Sequence, residues 1–149
     1  MEIKTPAFKN KNYIPSKFTC DGEDINPMIE IAGIPEETIS LALIVDDPDA
    51  THQDSWNHWV VWNIDPKNKY IYENSIPLGG VQGKNDFERV EYGGPCPPKG
   101  AKPHRYLFKL FALDSEIDLE EGSKKQDLEK VMENHIIEKS EIIGLYKRN

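Results

Sequence analysis

The chain has no apolar run approaching the ~18 residues of a membrane-spanning helix, which argues against a helical span. Met1 to Asn10 lacks the apolar core of a secretory signal, so a cytoplasmic location is expected. Cysteine is scarce: Cys20 and Cys96 are the only two. Two cannot build a disulfide framework, and no ligand spacing supports a zinc site. Whether they are separate reduced thiols or one bridge stays open at this level, because pairing depends on a Cα separation below about 7 Å. Positive charge is also in deficit, with 18 Lys and Arg against 26 Asp and Glu, a net charge of −8. That balance argues against nucleic-acid binding, since a phosphate backbone repels an acidic surface. It leaves room for a local anion site built from a few donors. Internal repeats, low-complexity tracts and linker-like stretches are missing too, so residues 1–149 are read as a single domain large enough for a hydrophobic core.

What the chain does have is punctuation. Eleven prolines and ten glycines cut it into short segments, the rhythm of an all-β protein. Met28–Ile31, Ile39–Val45, Trp59–Ile64 and Tyr106–Leu113 read as strands, and Ile142–Tyr146 as a closing one. The third and fourth are apolar on nearly every position, as strands are when both faces are covered, which suggests stacked sheets. One helix is expected late in the chain. Ser123 with Gln126 has a capping-box pattern, and Leu128, Val131, Met132, His135 and Ile136 then fall on one face. The expected fold is mainly β and sandwich-like: a large, antiparallel-dominated central sheet, a smaller second sheet and one late α-helix.

Two segments place ionisable groups where a rigid turn meets an apolar strand. The first is Asp46-Asp47-Pro48-Asp49-Ala50, followed downstream by Trp56-Asn57-His58-Trp59. Asp-Pro-Asp is an ordinary turn former, with proline fixing φ and aspartate capping free donors. Its companion His58 is what points to a site, because a carboxylate beside an imidazole favours the protonated ring, and an imidazolium offers two donors to an anion. The second is Gly94-Pro95-Cys96-Pro97-Pro98-Lys99-Gly100, leading into His104-Arg105-Tyr106. His104 and Tyr106, two apart on a strand, share a face. Arg105 faces the other way and is read as half of a structural ion pair. Pro97 and Pro98 stiffen the approach and remove two backbone donors. The N–H groups of Cys96, Lys99 and Gly100 remain for a small anion-binding concavity, with Gly100 at positive φ.

In these blocks, together with Phe18-Thr19-Cys20-Asp21-Gly22-Glu23-Asp24, the sequence resembles the phosphatidylethanolamine-binding protein family, which includes the Raf kinase inhibitor protein. The wording is closest to its short bacterial and archaeal branch, and the resemblance runs from about Pro6 to Tyr146. It implies a large central sheet flanked by a smaller one. It also implies one anion pocket lined by Asp47, Trp56, His58, His104 and Tyr106, with Pro97 and Pro98 at the rim. Histidine and tyrosine would donate to phosphate oxygens, Asp47 would orient an imidazole or meet an amine, and Trp56 would offer an apolar wall or a face for an ammonium group. Thr51 stands where the family usually has proline, and Pro103 where glycine or leucine is commoner. No C-terminal helix follows the closing strand, so a more open pocket is expected.

The resulting expectation is a non-catalytic protein that binds a small phosphorylated or other anionic ligand and regulates a partner, without a cofactor or metal. A protease or kinase would be the protein partner. The rival reading is inhibition of a serine protease through an exposed loop, with Asp46–Trp56 and Gly79–Tyr92 as candidates. A third is hydrolysis by a His58/Asp47 base or a Cys96/His104 pair, for which no complete nucleophile, base and oxyanion set is evident. Asp47, Asp49, His58 and His104 form a conceivable metal-ligand set whose geometry nothing in the sequence fixes. Trp62, Tyr70 and Tyr72 are candidates for a homodimer surface.

Overall fold

A computed structural model describes residues 1–50 and 55–149. In chain order the elements are β1 (Glu2–Lys4), β2 (Asn12–Tyr13), a 3-10 turn at Ser16–Phe18, β3 (Ile29–Ala32), β4 (Ser40–Asp47) and β5 (Trp56–Ile64). They continue with β6 (Tyr70–Ile71), β7 (Val81–Gln82), β8 (His104–Leu113), α1 (Lys125–Met132) and β9 (Ile136–Tyr146). Six strands form the larger sheet in the order β2-β9-β8-β4-β5-β7, and three form the smaller in the order β1-β3-β6. All pairings are antiparallel except β2 with β9. The mainly β architecture of two sheets and one helix agrees with the sequence expectation.

The large sheet is buried on both faces, which explains its near-continuous apolar strands. Leu41, Leu43 and Val45 of β4 join Trp59, Val61, Phe108 and Leu110 against Ile3, Ile29 and Ile31 of the small sheet. Ala42 and Ile44, pointing the opposite way, pack with Val60, Trp62 and Phe111 beneath Leu128 and Met132 of α1. Alternation thus splits one strand between two cores. Among the described residues, no helix is long and apolar enough to cross a membrane.

Several sequence expectations need correction here. α1 ends at Met132, so His135 and Ile136 are not on its face. Instead His135 lies in the turn that follows and meets Asp114 through Nδ1 at 2.8 Å, and Ile136 opens β9. The start of the helix is fixed by Asp127, whose carboxylate accepts the Lys124 N–H at 3.0 Å, rather than by Ser123 with Gln126. β9 is eleven residues long, not five, because it pairs with β8 along that strand's full length despite its polar sequence. Trp62 is completely buried and leaves the homodimer candidates, whereas Tyr70 and Tyr72 are exposed. Thr51, and residues 51–54 of the Asp46–Trp56 loop, lie outside the described residues.

Candidate functional site

The site lies where β4, β5 and β8 reach the same end of the large sheet. Asp47 is the last residue of β4, and Pro48 turns the chain immediately beyond it. The Asp49 N–H closes that turn onto Asp47 Oδ1 at 2.8 Å. Asp49 then binds the start of β8, accepting the Arg105 backbone N–H at 2.8 Å and its guanidinium at 2.9 and 3.0 Å. That bidentate pair holds the Asp49 carboxyl below its ordinary range. Arg105 is therefore a clamp between two strand ends, turned away from His104 and Tyr106.

His58 reaches the site through an irregularity. Val45 pairs with Trp59 and Asp46 with Asn57, so His58 is an extra residue in β5. Strict alternation would send it to the helix side with Val60 and Trp62. The bulge instead brings its ring to the cavity, beside Tyr106 at 5.2 Å between centroids. Across the sheet, Asn57 donates to Asp46 at 3.1 Å, and Lys109 and Lys125 neutralise that buried carboxylate at 3.3 and 2.8 Å. Neighbouring aspartates therefore serve opposite faces: Asp46 holds the helix side, and Asp47 the cavity.

The cavity measures about 200 Å³. It is lined by Asp47, Trp56, His58, Pro97, Pro98, His104 and Tyr106, the seven residues picked out in the sequence, together with Ala50, Phe87 and Cys96. Its polar geometry differs from expectation in one respect. Asp47 partners His104, with Oδ2 2.7 Å from Nδ1, and not His58. His58 Nδ1 lies 2.7 Å from the Gly93 carbonyl. A carbonyl only accepts, so this nitrogen carries a proton. Burial pushes the His58 pKa below its ordinary value, outweighing the Gly93 carbonyl and the charges of Asp47 and Asp46. The expected imidazolium at His58 is thus a neutral ring at pH 7.

Tyr106 is also enclosed. Its hydroxyl is buried and makes no hydrogen bond of normal geometry among the described residues. Burial first, then the Asp47 charge and a hydrogen-bonding contact with that carboxylate, raise its pKa well above the ordinary phenol value.

The far wall is pinned by covalent and backbone bonds. Cys20 and Cys96 form a disulfide, with Cα atoms 5.5 Å apart. The Cys20 N–H donates to the Pro95 carbonyl at 3.1 Å, and the Gly94 N–H to Asp24 Oδ1 at 2.7 Å. Glycine is required at 94, because a Cβ there would stand 2.3 Å from the Phe18 carbonyl oxygen. Bridging removes the thiol from Cys96, which eliminates the Cys96/His104 hydrolytic pair. Gly100 has the anticipated positive φ, but its N–H donates to the Arg148 carbonyl at 2.9 Å and is not free for a ligand. Among the described residues, no group of three or more His, Cys, Asp or Glu side chains is arranged to hold a metal ion.

Sequence reasoning missed Phe87. Its ring stands edge-on to both Trp56, at 5.5 Å, and His58, at 5.2 Å, and closes the cavity between them. Asn85 puts it there. The buried Asn85 amide donates to the His58 and Glu91 carbonyls, and its oxygen accepts the Phe87 and Arg89 N–H groups. The only sequence signal was an Asn-Asp pair before an aromatic in a loop, which reads as an ordinary turn.

The family model described as phosphatidylethanolamine-binding protein matches residues 4–147. The chain belongs to the phosphatidylethanolamine-binding protein family. It is 48% identical to the UPF0098 protein of Methanothermobacter thermautotrophicus over 99% of each chain. Among solved structures, it superposes on a phosphatidylethanolamine-binding protein homologue of Chlamydia trachomatis with a TM-score of 0.93 and 36% identity, covering 99% of this chain and 97% of that one. YbcL of E. coli, described as a new member of the mammalian PEBP family, gives a TM-score of 0.94 at 32% identity, with 99% and 98% covered. As a phosphatidylethanolamine-binding family member with archaeal and bacterial relatives, the chain falls in the branch its signature blocks resemble.

Proposed function

We propose that this protein is a non-catalytic binding module that captures a small oxyanion, with a phosphate ester head group as the best fit. The observation that carries this reading is the pair of imidazoles in the cavity wall, His58 and His104, whose Nδ1 atoms are already engaged. Their two Nε2 atoms then remain as polar atoms for a ligand, with Trp56, Phe87, Pro97 and Pro98 as apolar surroundings. A cavity of about 200 Å³ suits a head group and is below the usual range for drug-sized ligands. The family's name makes phosphoethanolamine the natural first probe, its ammonium facing the Trp56 ring.

Binding without turnover is favoured because the groups present are poor nucleophiles. Cys96 is bridged, the Tyr106 phenol is held protonated, and His58 faces a carbonyl rather than a nucleophile it could activate. The role that follows is regulatory, with ligand occupancy sensed by a protein partner. An amide and histidine NMR titration with O-phosphoethanolamine tests the binding step. Saturable shifts confined to Asp47, Trp56, His58, Phe87, His104 and Tyr106 are expected. No shift at ~10 mM ligand, the range of weak head-group binding, would overturn the reading.

A further inference from the structure

We infer that the cavity selects an oxyacid group that retains one proton, such as a phosphomonoester monoanion, over the same group fully ionised. This rests on the reading of the cavity as an oxyanion site, and adds which protonation state is held. The argument is a match of donors to acceptors. His58 Nδ1–H donates to the Gly93 carbonyl at 2.7 Å, which leaves the lone pair of a neutral ring on Nε2. Among the described residues, that nitrogen has no partner, so it asks for a donor from the ligand. A fully ionised phosphate has none to give.

The remaining groups call for a single negative charge. His104 Nδ1–H donates to Asp47 Oδ2, and when the ring is protonated its Nε2–H donates to a ligand oxygen. The Tyr106 hydroxyl lies enclosed beside Asp47. The only carboxylate among the described lining residues is Asp47, and its partner there is the His104 ring. Among the neighbouring cations, Arg105 pairs with Asp49, Arg89 with Glu91, Arg148 with Asp21, and Lys109 and Lys125 with Asp46 on the opposite face. A dianion would meet Asp47 without a compensating charge. A monoanion with one O–H donates that hydrogen bond to His58 Nε2, while its other oxygens face His104.

Around His58, the groups that influence its protonation are Asp46 and Asp47 of β4 and the backbone of Gly93 and Gly94, with the Tyr106 ring of β8 packed edge-on against it and His104 stacked on Tyr106. Phe87 covers the ring edge-on and adds no charge. Burial outweighs the two carboxylates, which keeps Nε2 an acceptor at neutral pH.

Calorimetric titration of the full chain with two probes tests this. Methyl phosphate as its monoanion and methyl sulfate have the same shape and charge and differ by one O–H. At about pH 6, where about half of the methyl phosphate is the monoanion, it should bind at least about fivefold tighter than methyl sulfate, which leaves His58 Nε2 unpaired. Above about pH 6, where a phosphomonoester loses its second proton, methyl phosphate affinity should fall about tenfold per pH unit relative to dimethyl phosphate, which cannot ionise further. At pH 7.5, titrations in buffers of different ionisation enthalpy should show one proton more taken up per methyl phosphate than per dimethyl phosphate. Equal proton uptake, or methyl sulfate binding as tightly as methyl phosphate, would overturn the inference while leaving oxyanion binding intact. If no probe binds at either pH, the oxyanion reading itself falls.

Discussion

Asp47 Oδ2 and His104 Nδ1 lie 2.7 Å apart, and they join the end of β4 to the start of β8 across one wall of the cavity. Both side chains are nearly buried, so the bond has little competition from water. It fixes the His104 ring and leaves Nε2 as its one polar atom for a ligand. Asp47→Asn keeps the size but removes the charge that draws the Nδ1 proton. We expect anion affinity to fall about tenfold and stability by about 1–3 kcal/mol, the cost of weakening a buried charge-assisted bond. Urea unfolding and a phosphoethanolamine titration of the same variant check both numbers. Unchanged affinity would remove Asp47 from the site.

The Cys20–Cys96 bridge closes a long loop, 76 residues in sequence separation, and anchors the cavity wall carrying Pro97. A chain-entropy treatment of such a loop gives about 4.5 kcal/mol, and removing a native bridge commonly costs 2–5 kcal/mol. Unfolding with and without a phosphine reductant should show a loss in this range. Phosphoethanolamine affinity should fall as the wall loosens, under conditions where the reduced protein is still folded. Reduction that changes stability but not affinity would mean that the backbone bonds at Cys20 and Gly94 hold the wall alone.

Stability should also depend on pH through His58. Its folded pKa lies below the ordinary 6.5, so between the two values the unfolded chain binds more protons. The stability is therefore fully present above about pH 6.5 and is lost as pH falls towards and through the folded value. Asp49, also depressed, acts in a separate, lower window below its ordinary 3.8. Urea midpoints measured from pH 7.5 to 4.5 should decline in the wild type, and less so in His58→Gln. Parallel profiles would show that His58 is not buried neutral.

Much of the fold was legible because its strongest signals are local. Leu41 to Val45 and Leu107 to Leu113 are apolar enough that only strands covered on both faces accommodate them, and the structure shows a core on each side. What was not legible depends on pairing. The polar stretch from Ile136 to Glu141 carries no strand period of its own and becomes β9 because β8 offers it a full ladder. The seven cavity residues could be picked out as types in signature blocks, but their partnerships could not. Asp47 looked like the companion of His58 in the sequence, and the bulge that places His58 against Gly93 is a property of the β4–β5 register. Phe87 was invisible for the same reason, since its position is set by Asn85 reaching across to β5.

Two buried tryptophans on one strand allow a last, controlled comparison. Trp59 and Trp62 are both almost fully enclosed, one in each core. Trp59 Nε1–H donates to Gln82 Oε1 at 2.7 Å, whereas Trp62 Nε1–H finds no acceptor among the described residues. Replacing either by phenylalanine removes a similar volume and opens a similar cavity, so that cost largely cancels between them. The difference left is polar. Trp59→Phe breaks a hydrogen bond to the half-buried Gln82, while Trp62→Phe deletes a donor that was already unpaired. Trp59→Phe should therefore be the more destabilising, by about 1–3 kcal/mol in urea unfolding. Equal losses would mean that a water satisfies the Trp62 indole.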